Sequence, residues 1–413
     1  MRKPEILAPA GSMETLRTAC LYGADAVYLG VRGGTNLREG AKNFSLDELP
    51  LAVSFAHACG VRVFLTLNTY PHDDQLPEIE SLIRSAAKAG VDAVIVSDLG
   101  VLSLVRKLAP GVAVHLSTQA NTVNTAAVNA WADLGVSRII LARELSCEEI
   151  ARIRDGTKIE LEIFIHGSVC ISVSGRCLIS DYLCGRDPNR GQCAQPCRWD
   201  YALMERTRDG RYMPIAQEEG FSFLLNSKDL CLLPVFDRVM GLGLDGLKIE
   251  GRNKAPLYVA TAVSVYCQAR DAYLGDPGAF SVRPGWSEEI GRISNRGYFT
   301  GFFTGKPGPE GINGDFAGYV QTHHLAAKVL EVNGGITLME ARNPLIEGME
   351  LEWLSSSGAR QTFCLQGASS DGNPVSRIRP NQVFSMATPF RALAGELVRK
   401  RYSEGDKIVA ERE

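Results

Sequence analysis

Up to Ile249, short runs of Val, Ile, Leu and Ala recur along the chain, each followed by a helical pattern of comparable length. That alternation is the sequence sign of βα units around a parallel sheet. The candidate strands are Glu5 to Ala8, Ala26 to Gly30, Val61 to Leu67, Ala93 to Ser97, Val112 to Ser117, Arg138 to Ala142, Ile159 to Ile165, Phe221 to Leu225 and Gly246 to Ile249. Most are near-continuous apolar runs, as expected of strands buried on both faces. Most also end in polar residues: Asn68-Thr69, Ser97-Asp98, Ser117-Thr118-Gln119, Arg143-Glu144, His166, Asn226-Ser227 and Glu250-Gly251-Arg252. Polar groups at the C-terminal ends of parallel strands face the side on which barrels carry out chemistry. A doubly wound open sheet is the rival, but no Gly-rich dinucleotide fingerprint follows the first strand. The expectation is a TIM-like (β/α)8 barrel, with one of the nine candidates left outside it.

The alternation breaks after Ile165. From 166 to 220 the chain is rich in Gly, Arg and Cys and contains a hairpin signal at Arg208-Asp209-Gly210, so a cysteine-rich insertion is expected within a barrel of residues 1–274. Residues 275–315, rich in Gly, Pro and aromatics, read as a linker packed on the barrel. From 316 to 413 short alternating strands are expected at Gly318 to Gln321, Ala326 to Val332, Gly335 to Glu340 and Glu350 to Leu354, forming a small β-barrel domain.

Composition narrows the class. With 45% hydrophobic and 22% charged residues, the 413-residue chain is an ordinary globular protein. No apolar run reaches the roughly 18 residues needed to cross a bilayer, and the N-terminus lacks the apolar region of a signal peptide. The expectation is a cytoplasmic protein with no membrane partner. A net charge of -3 gives no global footprint for nucleic acid, though a local basic patch can hide within a neutral average.

Eleven cysteines in a reducing compartment read better as metal ligands or redox groups than as disulfides. Five fall between residues 170 and 197. Cys170, Cys177, Cys193 and Cys197 are separated by six, fifteen and three residues, a spacing without the paired Cys-x-x-Cys knuckles of structural zinc sites. Four soft ligands on a loop-rich segment then favour an iron-sulfur cluster. Cys184 and Cys231 are ambiguous, Cys231 being placed at the start of a helix near the barrel rim. Cys20, Cys59, Cys147, Cys267 and Cys364 stand alone and read as buried small hydrophobes.

His166 is balanced between a hydrogen-bonded structural histidine and a ligand or base. Arg176, Arg186, Arg190 and Arg198 interleave the cysteines, and Lys248, Arg252 and Lys254 follow the last strand. These cations read either as a solvated, ion-paired surface or as a site for carboxylates or phosphates.

The stretch from Glu162 to Ser180, around His166-Gly-Ser-Val-Cys170, closely resembles the signature of the U-32 family, historically described as collagenase-like peptidases. The resemblance continues through Gly185 to Trp199, Asn226 to Cys231 and Lys248 to Arg252, and includes Leu7 to Gly11, Lys42 to Ser45, Ser117 to Asn121 and Ala142 to Leu145. Within that family the chain looks most like the proteins that make 5-hydroxyuridine at the tRNA wobble position in a prephenate-dependent reaction. The longer ribosomal-RNA members carry a C-terminal extension, which favours tRNA here.

The resemblance implies a 4Fe-4S cluster on Cys170, Cys177, Cys193 and Cys197. It also implies a tRNA substrate and a prephenate or prephenate-derived molecule, with an electron donor or second family member as a further partner. On this reading Arg38, Arg143, Arg176, Arg186, Lys248 and Arg252 bind substrate, and Glu144, His166 or Glu250 moves protons. The alternatives are a peptidase, for which neither His-Glu-x-x-His nor a Gly-x-Ser-x-Gly elbow is present, and a scaffold or hydroxylase subunit acting on another substrate.

Overall fold

In the computed structural model, the residues described are 2–33, 36, 42–170, 172, 177, 179–199, 203–204, 212–213, 227–307, 311 and 319–402. Seven strands run in sequence: β1 (Glu5–Pro9), β2 (Ala26–Leu29), β3 (Arg62–Leu67), β4 (Ala93–Val96), β5 (Ala113–Leu116), β6 (Arg138–Ile140) and β7 (Glu160–Ser168). The short ladder of β8 (Leu203–Met204) and β9 (Tyr212–Met213) is antiparallel, flanking the expected hairpin, whose tip lies outside the described residues. Then come β10 (Asp229–Cys231), β11 (Gly246–Ile249) and β12 (Tyr298–Phe299).

Strands β1 to β7 pair in order and in parallel, and β11 pairs with both β1 and β7, closing a ring of eight. The ring is therefore complete without Phe221 to Leu225, which lies outside the described residues. Helices α1 (Met13–Leu21), α2 (Leu49–Ala58), α3 (Leu76–Ala89), α4 (Leu99–Leu108), α5 (Thr125–Asp133) and α6 (Cys147–Asp155) join successive strands. Several strand-end polar residues start these helices. Asp98 accepts from the Val101 N–H at 3.0 Å, and Ser146 and Glu149 cap α6 reciprocally.

Past the ring, β7 continues and takes β10 as an antiparallel neighbour, with Leu230 opposite Gly167 and Cys231 opposite His166. Cys231 thus ends a strand, where a helix start had been expected. The short helices α7 (Ile179–Cys184) and α8 (Phe236–Gly241) precede the long α9 (Pro256–Gly275), most of which is buried. The expected linker is more ordered than its composition suggests. It holds α10 (Pro284–Arg292), with Trp286 and Ile290 buried, and β12, which pairs with β10. Proline at the first helical position and prolines outside the turn let a Pro-rich stretch carry a helix.

The C-terminal region is a separate eight-stranded antiparallel sheet with its own apolar core around Val329, Met339, Leu351 and Phe384. Its first strand is His323–Asn333. Gly318 lies outside the described residues, and Val320 makes only an isolated bridge to Asn295, so no strand begins there among the described residues. The sheet docks on α1: the buried Tyr22 hydroxyl donates to the Leu354 carbonyl at 2.8 Å and accepts from the Leu397 N–H at 3.1 Å. No described helix is long and apolar enough to cross a membrane.

Candidate active site

Strand parity fixes what lines the barrel. On β11, Gly246 and Lys248 face inward, and on β7 they meet Glu162 and Phe164 at matching register. Gly246 leaves the space that Glu162 fills, since a Cβ there would sit 2.7 Å from the Glu162 carboxylate. Deep in the barrel, buried Arg138 joins Glu160 at 2.7 Å, Glu5 at 2.8 Å and Glu162 at 3.2 Å. His115 lies in the same interior, edge-on to Phe64 at 4.6 Å, and burial beside Arg138 and Lys248 holds its pKa well below the ordinary value.

Toward the C-terminal mouth the interior changes to aromatic rings and cations. The Lys248 ammonium lies 4.3 Å from the Tyr28 ring centre, 5.3 Å from that of Phe164 and 3.7 Å from Glu162 Oε1. Burial lowers its pKa to about 8, with Arg252 and Arg143 acting the same way and Glu162 and Glu250 opposing. Arg143 stacks over Phe164 at 4.5 Å and donates to the Ser168 carbonyl at 2.7 Å. Arg252, also buried, donates to Thr66 Oγ1 at 3.0 Å and Asn36 Oδ1 at 2.8 Å. The backbone is shaped to admit it: a Cβ on Gly30 would stand 2.2 Å from its Nη1, and one on Gly11 2.0 Å from its carbonyl oxygen. The Tyr28 hydroxyl lies 3.0 Å from both the Ile249 carbonyl and Glu250 Oε2. Glu250 and Glu144 are half-buried at strand ends, and Arg186 is exposed beyond α7. Arg38 and Arg176 lie outside the described residues.

His166 is not in this group. A register shift between Lys248 and Ile249 pairs it with outward-facing Ile249, so its side chain joins the outer layer against α9. There it is 1% exposed, with Tyr298, Tyr266 and Tyr258 ring centres at 5.3, 5.6 and 5.7 Å. Nδ1 is 3.4 Å from the Tyr266 hydroxyl, and Nε2 is buried with no hydrogen-bond partner among the described residues. Burial brings its pKa to about 4. Cys231 shares this layer, its sulfur 3.6 Å from the Tyr266 hydroxyl, and beside it Asp229 pairs with Arg296 at 2.5 Å.

The eleven cysteines form no disulfide. Cys170, Cys177, Cys193 and Cys197 are half-buried, whereas Cys184 is exposed and its thiol donates to the Ser180 carbonyl at 3.0 Å. Of the solitary cysteines only Cys267 is buried. Cys59 and Cys364 are exposed, because they fall at a helix end and on an outward strand position, which corrects their reading as buried hydrophobes. Backbone N–H groups of Ile179 and Gln195 point to the sulfurs of Cys177 and Cys193, each at 3.4 Å. The Asn189 side chain bridges the Cys177 backbone, tying the two halves of the segment. Among the described residues no three His, Cys, Asp or Glu side chains converge as a ligand group. Four thiols with backbone N–H groups aimed at two of them are a donor set whose chemistry fits a thiophilic cluster.

The interior stack of Arg138, Glu162, Phe164 and Tyr28 was missed in the sequence reading. Its signal was there: Glu160, Glu162, Arg138 and Lys248 are charged residues inside otherwise apolar strands, at alternating positions on β7.

The model of peptidase family U32 matches residues 11–313. The chain is 37% identical over 404 residues to tRNA hydroxylation protein P1 of Bacillus subtilis, covering 97% of this chain and 95% of that protein. It is 32% identical to tRNA hydroxylation protein P of Escherichia coli, covering 94% of each. A 23S rRNA 5-hydroxycytidine synthase of Escherichia coli is 38% identical over 274 residues, which is 66% of this chain and 40% of that protein.

Proposed function

The chain belongs to peptidase family U32, and from that membership we propose that it is an iron-sulfur-dependent enzyme hydroxylating the tRNA wobble uridine at C5, with prephenate or a derivative as co-reactant. The observation that carries this reading is the likeness to tRNA hydroxylation proteins along almost the entire chain, C-terminal sheet included. The barrel mouth suits it. Lys248, Arg143 and Arg252, gathered around Tyr28 and Phe164, offer cations for carboxylates or phosphates. A uridine must leave its stack to present a ring carbon, and the C-terminal end of the barrel strands is where such a barrel would take it.

In this proposal Cys170, Cys177, Cys193 and Cys197 hold a 4Fe-4S cluster, which supplies electron transfer when bound. The N–H groups of Ile179 and Gln195 would stabilise the thiolates of Cys177 and Cys193. Glu250, held at Tyr28, and Glu144 are the proton-handling carboxylates at the mouth. Exposed Arg186 is assigned to the RNA backbone, Arg38 and Arg176 to substrate binding by family resemblance alone, and the site of action is the cytoplasm, with an electron donor or second family member as partner.

Peptide hydrolysis gains no support from the geometry of the described residues. A nucleophile needs a base within reach, and His166 is enclosed by three tyrosines in the outer layer. The test is mass spectrometry of tRNA nucleosides from a strain lacking the gene. Loss of 5-hydroxyuridine derivatives, restored by this chain, is the expected result. An unchanged nucleoside profile overturns the proposal.

A further inference from the structure

Lys248 is held in surroundings that suit a nucleophilic amine better than a counter-ion. Its side chain is 5% exposed, on the mouth-facing layer of the barrel and against two aromatic faces. Its nearest carboxylate atom, Glu162 Oε1, is 3.7 Å away, beyond hydrogen-bond distance, and that oxygen has no hydrogen-bond partner among the described residues. The other Glu162 oxygen is taken by Arg138 at 3.2 Å. A lysine kept only to neutralise Glu162 would close this contact. Arg143 lies over the same Phe164 ring and makes no ion pair among the described residues.

We propose that Lys248 forms an imine with the carbonyl group of an oxo acid bound at the barrel mouth, with Arg143 taking the acid's carboxylate. This rests on the mouth being the active site, and it deepens that reading by naming the bond that the co-reactant makes with this chain. The neutral amine adds to the carbonyl carbon, forming a C–N bond while the carbonyl oxygen takes a proton. The resulting carbinolamine loses that oxygen as water, leaving the C=N bond. The balance is amine plus ketone giving imine plus water, with no oxidant or reductant.

Glu162 Oε1, at 3.7 Å, is beyond direct reach of the amine, so the proton released by nitrogen passes to the departing hydroxyl through one intervening water. Burial favours the reactive form: with the ammonium pKa at about 8, about a tenth of Lys248 is neutral at pH 7, against fewer than one in a thousand for an ordinary lysine. Arginine at this position would keep the charge and lose the chemistry.

The test incubates anaerobically purified full-length protein with phenylpyruvate or pyruvate and sodium cyanoborohydride, then maps peptides by mass spectrometry. The expected result is one reduced adduct, on Lys248, at least tenfold weaker in a folded Lys248→Arg variant. No adduct, or adducts spread over exposed lysines as in the urea-unfolded protein, overturns the proposal, and this arm needs only the unsubstituted chain. Cells carrying Lys248→Arg separate the two readings. Hydroxylated tRNA in those cells refutes the imine and leaves the RNA reading standing. An adduct in vitro with tRNA unaffected by gene deletion keeps the imine and removes the RNA reading.

Discussion

Arg138 and Glu162 meet at 3.2 Å inside the barrel, each with its side chain closed off from water. Replacing Arg138 with Met leaves Glu162 buried with only Lys248 nearby, and removing one partner of a buried pair costs about 3–5 kcal/mol. Urea unfolding of Arg138→Met is expected to show a loss of that size. The milder Glu162→Gln, which keeps the shape, loses less. Equal stability of Arg138→Met and the parent would show that the interior stack is not what holds β6 and β7 in register.

His166 makes stability depend on pH. Its pKa falls from the ordinary 6.5 to about 4 on folding, so the unfolded chain binds the proton first. Its contribution is complete above pH 6.5 and is lost as the pH falls toward 4, amounting to about 2 kcal/mol between pH 7.5 and pH 5. His323, lowered to about 4 by burial and by Arg399 and Arg292, acts with the same sign but is only half-buried. The His166→Phe variant is expected to lose about 2 kcal/mol less than the parent over that pH range in urea titrations. The same pH loss in both proteins contradicts the assignment.

Much of this was legible in the sequence, and the exceptions have physical causes. Buried parallel strands announce themselves as apolar runs, and polar residues at their ends mark the mouth, so the barrel and Lys248, Arg143 and Arg252 could be read directly. His166 could not be placed, because one irregularity in the β7–β11 register turns it to the outer face, and local periodicity carries no trace of that shift. Helix α10 was hidden by Pro284 and Gly285, which look like breakers and serve as a helix start. The convergence of the four cysteines is suggested by spacing and family resemblance, not by the geometry of the segment.

Tyr22 joins the barrel to the C-terminal sheet through the Leu354 carbonyl and the Leu397 N–H. Tyr22→Phe removes one hydroxyl and strands two buried backbone groups, at a cost of about 1–3 kcal/mol. Thermal unfolding should show a lower midpoint for the variant, with the barrel interior intact by near-ultraviolet dichroism. An unchanged midpoint would mean that water or neighbouring groups replace the hydroxyl and that the seam depends on apolar contact alone.

The claim that the cysteine segment carries the chemistry is tested most directly by iron and sulfide analysis with absorbance near 400 nm. The samples are anaerobically purified protein and its Cys170→Ala and Cys193→Ala variants. The account predicts broad absorption with about four irons and four sulfides per chain, lost in both variants and after chelation of the oxidised protein. A colourless parent protein, or one holding only zinc, would contradict it.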